Sequence, residues 1–294
     1  MEQHYTPSGR FSPLSFLLWI VAALIAFPLL ALVYAYAIWY IPIPYLNFFI
    51  TGIFGVLVGV VISRFVIRMG KVRNGKLAFV FCLFGALTAA YFHWAVWVDL
   101  AFNISGTIGG DDIGVATSNI KFGEVLSLVL SPAGLFELMG EINKVGVWGI
   151  KGGTVSGGFL TFIWVVELLM IVVATLVVGT GQASKPFCEE ENTWFEENEL
   201  NPVASIGDGA ALVKALSIGD MDVIDSSLNP AGDIKAESHA KITLYDAKSG
   251  ENFVSIENEI AKTNDKGEVK FDTDTVTTFL KISQDVANRL KGVG

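Results

Sequence analysis

The run Phe11 to Tyr40 contains no charged side chain. An α-helix crosses about 30 Å of hydrocarbon in roughly 20 residues, and only helices or closed barrels can do so, because backbone groups left unpaired in lipid are costly. Three more runs have the same character. Asn47 to Ser63 is the shortest and ends where Arg64 and Arg68 can reach the interface. Leu77 to Val98 is interrupted only by His93, and Gly158 to Thr180 only by Glu167. The expected fold class is therefore an α-helical membrane bundle of four transmembrane helices, with spans at 11–40, 47–63, 77–98 and 158–180. The bilayer is the first partner. The excess length of the first span and its Pro28 predict a tilt or kink. Arg10 precedes that run as in a secretory leader, but a leader's apolar core is only about 7–15 residues long, so the run is read as a retained anchor.

Charge divides the chain in the same way. Residues 1–180 hold nine Lys or Arg and eight Asp or Glu, whereas the last 114 hold eleven and twenty-one, which places most of the net charge of −9 in the tail. Only 17 % of residues are charged, against about 25 % in an ordinary soluble domain. An acidic tail lacks the basic footprint that phosphate binding needs, so nucleic acid is not an expected partner.

Orientation follows from the basic residues, which accumulate in short cytoplasmic loops. Arg64, Arg68, Lys71, Arg73 and Lys76 lie between spans two and three with no acidic residue among them. That loop is expected inside, together with the N-terminal residues 1–10 and the tail, in a multi-pass protein of the cell membrane. Trp39, Tyr40, Tyr45, Trp94, Trp97 and Trp148 then mark the outer border, where amphipathic rings settle. The outer loop 99–157 contains a helical pattern from Phe122 to Val145 that is broken at Ser131-Pro132. It is expected to lie bent on the membrane surface, as a cap over the bundle or a gate over a cavity.

In the tail, residues 181–202 read as an acidic linker around Trp194 and Phe195, a pair suited to docking on a cytoplasmic protein partner. Residues 203–294 read as a small cytoplasmic α+β domain. Helices are expected at 208–216 and 220–228, strands at 241–245, 253–256 and 268–271, and a helix from Thr273 to Leu290.

Chemical motifs are sparse. The glycines near Gly152 lack the Lys-Ser/Thr of a phosphate loop, and His4, His93 and His239 lie in separate regions of the chain. No catalytic constellation, metal site or cofactor is expected. Gly55 and Gly59 form a G-x-x-x-G that allows close helix packing, inside the bundle or in a homodimer. Pro186-Phe187-Cys188-Glu189-Glu190-Glu191 has the frame of half a zinc knuckle, and Tyr245-Asp246-Ala247-Lys248-Ser249-Gly250 that of its other half. In this the chain resembles uncharacterised bacterial polytopic membrane proteins whose cytosolic tails carry paired C-x-x-C knuckles, a resemblance that implies no known activity. Three of the four ligand positions depart from the pattern, and one thiolate among carboxylates makes a poor zinc site.

The sharpest lead is ionisable chemistry inside the apolar runs. A carboxyl near mid-membrane costs roughly 2.5–3.5 kcal/mol on insertion scales and so tends to face the bundle interior and a partner. Glu167 and His93 are the candidates, with Tyr34 or Tyr36 as alternative partners for the acid. Two functions follow. A membrane-anchored interaction or scaffold protein would act through Trp194 and Phe195, and a small transporter or channel through His93 and Glu167. An enzyme is not expected.

Overall fold

The computed structural model describes the chain except residues 1–2, 42, 110–113, 147, 151–152, 266 and 293–294. For 44, 107–109, 114–115, 148–150 and 153 it describes the backbone only, so the side chain of Trp148, expected at a border, lies outside the described residues. The chain forms two compact units, one of Gly9–Ala183 and one of Met1–Ser8 with Ser184–Gly294.

Four helices of the first unit are long and apolar enough to cross a membrane: α1 (Leu14–Tyr40), α2 (Tyr45–Arg68), α3 (Gly75–Phe102) and, after two shorter helices, α6 (Gly157–Thr180). Pro28 has no N–H for the carbonyl of Leu24 and crowds it. The turn before it accordingly widens to π-helix over Ala22–Ala26. The second span, expected to be the shortest, continues through Arg64 to Arg68 in another π-helical stretch, Ile62–Arg68. Asn74 starts α3, where its Oδ1 accepts from the Leu77 N–H at 3.0 Å.

Close packing sets the bundle. A Cβ added at Gly55 would stand 2.8 Å from both the Ala174 Cβ and the Ile171 carbonyl oxygen, and one at Gly59 would stand 2.9 Å from the Val178 Cβ. Thr175 Oγ1 also donates to the Gly55 carbonyl at 3.0 Å. Gly55 and Gly59 thus pack on α6 within the bundle, because only hydrogen side chains let the two backbones come this near. Phe27, Val58, Ile62, Val66, Ala78 and Ala86 fill the space between helices.

Between α3 and α6 the chain forms a hairpin of β1 (Ile104–Gly109) and β2 (Gly114–Ser118), then α4 (Phe122–Leu130) and α5 (Pro132–Val145), then a short hairpin of β3 (Trp148–Ile150) and β4 (Gly153–Val155). The helical pattern breaks at Ser131-Pro132 as expected, and α4 and α5 meet there with a bend of 108°. Leu135 and Ile142 of α5 are buried against Ala95 and Val98 of α3. Trp39 and Tyr40, at the end of α1, donate to the Ala116 and Ser118 carbonyls of β2.

The second unit is built on an antiparallel sheet in the order β11 (Val269–Ile282), β10 (Asn252–Thr263), β9 (His239–Asp246), β7 (Glu196–Glu199), with β8 (Val203–Ala204) also paired to β9. Alternation sorts its faces. Ile242, Leu244, Val254, Ile256, Leu280 and Ile282 bury against α7 (Gly209–Ile218), α8 (Met221–Ser227) and α9 (Gln284–Lys291), while Tyr245, Phe253 and Phe279 face the other way. Asp208 and Asp220 cap α7 and α8 through the Ala211 and Val223 N–H groups.

Three expectations for this unit are corrected. The helix placed from Thr273 begins only at Gln284, since β-branched Thr273, Thr275, Val276, Thr277 and Thr278 lose side-chain freedom in a helix and extend the strand instead. The linker 181–202 is not a tether outside the domain. It forms β5 (Phe187–Cys188), β6 (Thr193–Trp194), β7 and the approach to β8, and supplies Cys188 and Phe195 to a second core. Trp194 and Phe195, expected to be presented to a partner, are 8 % and 2 % exposed: Phe195 covers the sheet's outer face with Tyr245 and Phe253, and the Trp194 ring meets Phe187 edge to face. The N-terminal segment joins this unit as well: Tyr5 N–H donates to the Phe279 carbonyl and Lys281 N–H to that of Gln3, which lays residues 3–5 along the free edge of β11.

Candidate functional site

His93 lies nine residues before the end of α3, and Glu167 ten residues after the start of α6. At 1.5 Å per residue both are about 14–15 Å from that end of the bundle. Counted from the apolar bounds Val98 and Gly158 the two depths would differ by about 6 Å, and the gap closes because α3 continues to Phe102. They line one cavity of about 10 Å³ together with Tyr34, Ala90, Trp94, Trp164, Leu168 and Ile171. Such a space is at the lower limit for a single water.

Each wall has a clear local origin. On α6 the lining residues Trp164, Glu167, Leu168 and Ile171 follow the i, i+3, i+4, i+7 pattern of one helical face, a signal that was readable in the sequence once Glu167 was fixed as facing inward. On α3, Ala90, His93 and Trp94 share a face in the same way. The Trp94 and Trp164 rings meet edge to face with centroids 4.7 Å apart. Trp94, expected as a border anchor, is thus part of the cavity wall.

Tyr34 completes the site from α1. Its ring stacks on Phe54 at 4.4 Å and lies 4.5 Å from the His93 ring. Its hydroxyl is 2.7 Å from Thr51 Oγ1, and the Thr51 hydroxyl donates to the Asn47 carbonyl. With the threonine proton engaged there, Tyr34 donates to Thr51, so it has no proton to offer Glu167. Thr51, fully buried, carries no sequence signal of its own. Tyr36, the other tyrosine considered, accepts from the Ile120 N–H instead.

The imidazole is the unusual member. His93 is 4 % exposed and its Nε2 has no hydrogen-bond partner among the described residues. A buried polar atom left unmade costs of the order of 1–3 kcal/mol. A carboxyl and an imidazole with a free Nε2 thus border one small cavity, in which a single water would have polar partners on both walls.

The knuckle-like frames of the tail also come together. Cys188 Sγ is 3.5 Å from Ser249 Oγ, and Glu191 accepts from the Ser249 N–H. Asp246 turns away to Asn198 and Lys291. Among the described residues no three His, Cys, Asp or Glu side chains are grouped as a metal site. No protein-family model, no curated protein and no solved structure matches the chain.

Proposed function

We propose that this is a multi-pass membrane protein with both termini on the cytoplasmic face, whose bundle binds and passes a proton at His93 and Glu167, as a small proton-linked transporter or channel would. The observation that carries this reading is the unpartnered Nε2 of buried His93 on the cavity that Glu167 also lines. Intramembrane ionisable residues are costly, face the bundle interior and mark ion or proton routes. The arrangement supports a transport role over a scaffold acting through Trp194 and Phe195, since those rings are enclosed in the tail domain.

The test is proton flux into vesicles reconstituted with the purified protein, followed with an enclosed pH dye under a potassium diffusion potential. Glu167→Gln keeps a donor and an acceptor in place but cannot ionise. It should insert normally and lose at least 10-fold in flux, and His93→Gln should do the same. Flux unchanged in a normally inserted Glu167→Gln variant would refute the reading.

A second reading has one observation in its favour. The edge strand β7 presents Glu196, Glu197 and Glu199 outward, a surface suited to a basic cytoplasmic protein. Reversing these charges would then abolish capture of that partner and leave flux untouched.

A further inference from the structure

We infer that residues 122–145 form a re-entrant hairpin that dips into the outer leaflet, with acyl chains as the partner of its outward face. The inference rests on α3 crossing the membrane and not on the chemistry of the cavity. Three contacts fix the path of the hairpin. At its first foot, the Lys121 N–H donates to Asp99 Oδ2 at 2.9 Å, and Asn103 Nδ2 to Glu124 Oε2 at 3.2 Å. Farther along, the Tyr91 hydroxyl donates to the Val129 carbonyl at 2.9 Å. Advancing eight residues from Lys121 along α4 therefore retraces eight residues of α3, from Asp99 to Tyr91, or about 12 Å toward the middle of the span. The return path ends at Asn143, whose Nδ2 donates to Thr161 Oγ1 at 3.2 Å, four residues into α6.

Both feet stand at the same end of the bundle, and the tip, Leu130-Ser131-Pro132, lies beside the centre of α3. Charge follows this path. Glu124, Glu141 and Lys144 lie near the feet and Glu137 midway along α5, and the twelve residues Val125 to Phe136 that round the tip carry no charge. The outward side chains are large and apolar: Leu126 is 58 % exposed, Leu130 74 % and Phe136 61 %. A helix lying flat at the interface would keep polar groups along its whole water-facing side.

The backbone supports the same placement. The helix breaks at Pro132, which frees carbonyls in the preceding turn, and in hydrocarbon such groups must be satisfied by protein. Tyr91 reaches out from α3 to do so, at the Val129 carbonyl and more weakly at that of Leu128, 3.4 Å away. The inner side of the hairpin packs on Trp94 and Trp164, the same rings that wall the cavity. The hairpin is thus the covering layer between that wall and the outer leaflet.

The experiment attaches nitroxide spin labels singly at Phe122, Leu126, Leu130 and Phe136 of the full-length protein in phospholipid vesicles. Leu87, 40 % exposed on α3, is the mid-membrane reference. Depth is read from the relative collision rates with oxygen and with a water-soluble nickel chelate. The expected result is a steady increase in depth from Phe122 to Leu130, with Leu130 approaching Leu87, and a decrease again at Phe136. Four labels at equal, shallow depth with Leu87 deep would overturn the hairpin and leave the spans intact. A shallow Leu87 would overturn the spans and the hairpin together.

Discussion

Tyr245 shows how one side chain reports on the sheet's outer core. It is buried with Cys188, Phe195 and Phe253. Burial, with Glu197 nearby as the next cause, pushes its phenol from the usual 10.0 up to about 12. The folded state holds this proton more tightly than the unfolded chain does. The resulting stabilisation is therefore complete below pH 10 and is lost as the pH rises toward 12. Tyr245 is the tyrosine of residues 184–294, so the tyrosinate absorbance that Tyr245→Phe removes from the full-length protein is its own. The midpoint should lie near 12 in buffer and near 10 in denaturant, and a native midpoint near 10 would show that the ring is solvated. Tyr245→Phe should flatten the alkaline fall in melting temperature.

At the scale of elements, the N-terminal segment is the unexpected one. A strand edge such as that of β11 exposes unpaired N–H and C=O groups, and natural folds cover or blunt it. Here residues 3–5 cover it, and the pairing depends on a bulge: Phe279 has φ 50°, its N–H donates to Ser255 Oγ, and its carbonyl is left for Tyr5. Tyr5 then meets Phe253 and Phe279 edge to face, with centroids at 5.5 and 6.4 Å. Two such contacts, at about 0.5–1.5 kcal/mol each, make Tyr5→Ala cost the unit about 1–3 kcal/mol. Hydrogen exchange on the full-length protein should show the Lys281 amide and its neighbours in β11 losing about 10-fold in protection, while α7 is little changed. Equal loss in both elements would mean that the segment stabilises the unit only globally.

For the whole molecule, the charge asymmetry between loops predicts orientation. Cysteines introduced at exposed Lys76, Glu141 and Glu268 should divide into two groups with an impermeant thiol reagent. Glu141→Cys should react in intact cells, whereas Lys76→Cys and Glu268→Cys should react only after permeabilisation. Native Cys82 and Cys188 are buried and give little background. Labelling at Lys76 from outside would invert the topology.

What the sequence determined by itself is what local composition controls. Four apolar runs made four long helices, since a stretch without charge needs no partner to be apolar. Pro132 broke the helix at 131–132, and Asp208 and Asp220 capped theirs, because each acts within a few residues of itself. The inward role of Glu167 was legible for the same reason. Only the tertiary structure decided the rest, where the energy comes from groups distant in the chain. The depth match of His93 and Glu167 depended on how far α3 continues. The burial of Phe195 depended on a sheet face formed by residues some 50 positions later. Tyr5 found its partners more than 240 positions away, and the threonine-rich run before Leu280 became a strand because β10 was there to pair with it. Periodicity registers which face of a segment is apolar, but the surface that this face meets is set by the folded chain.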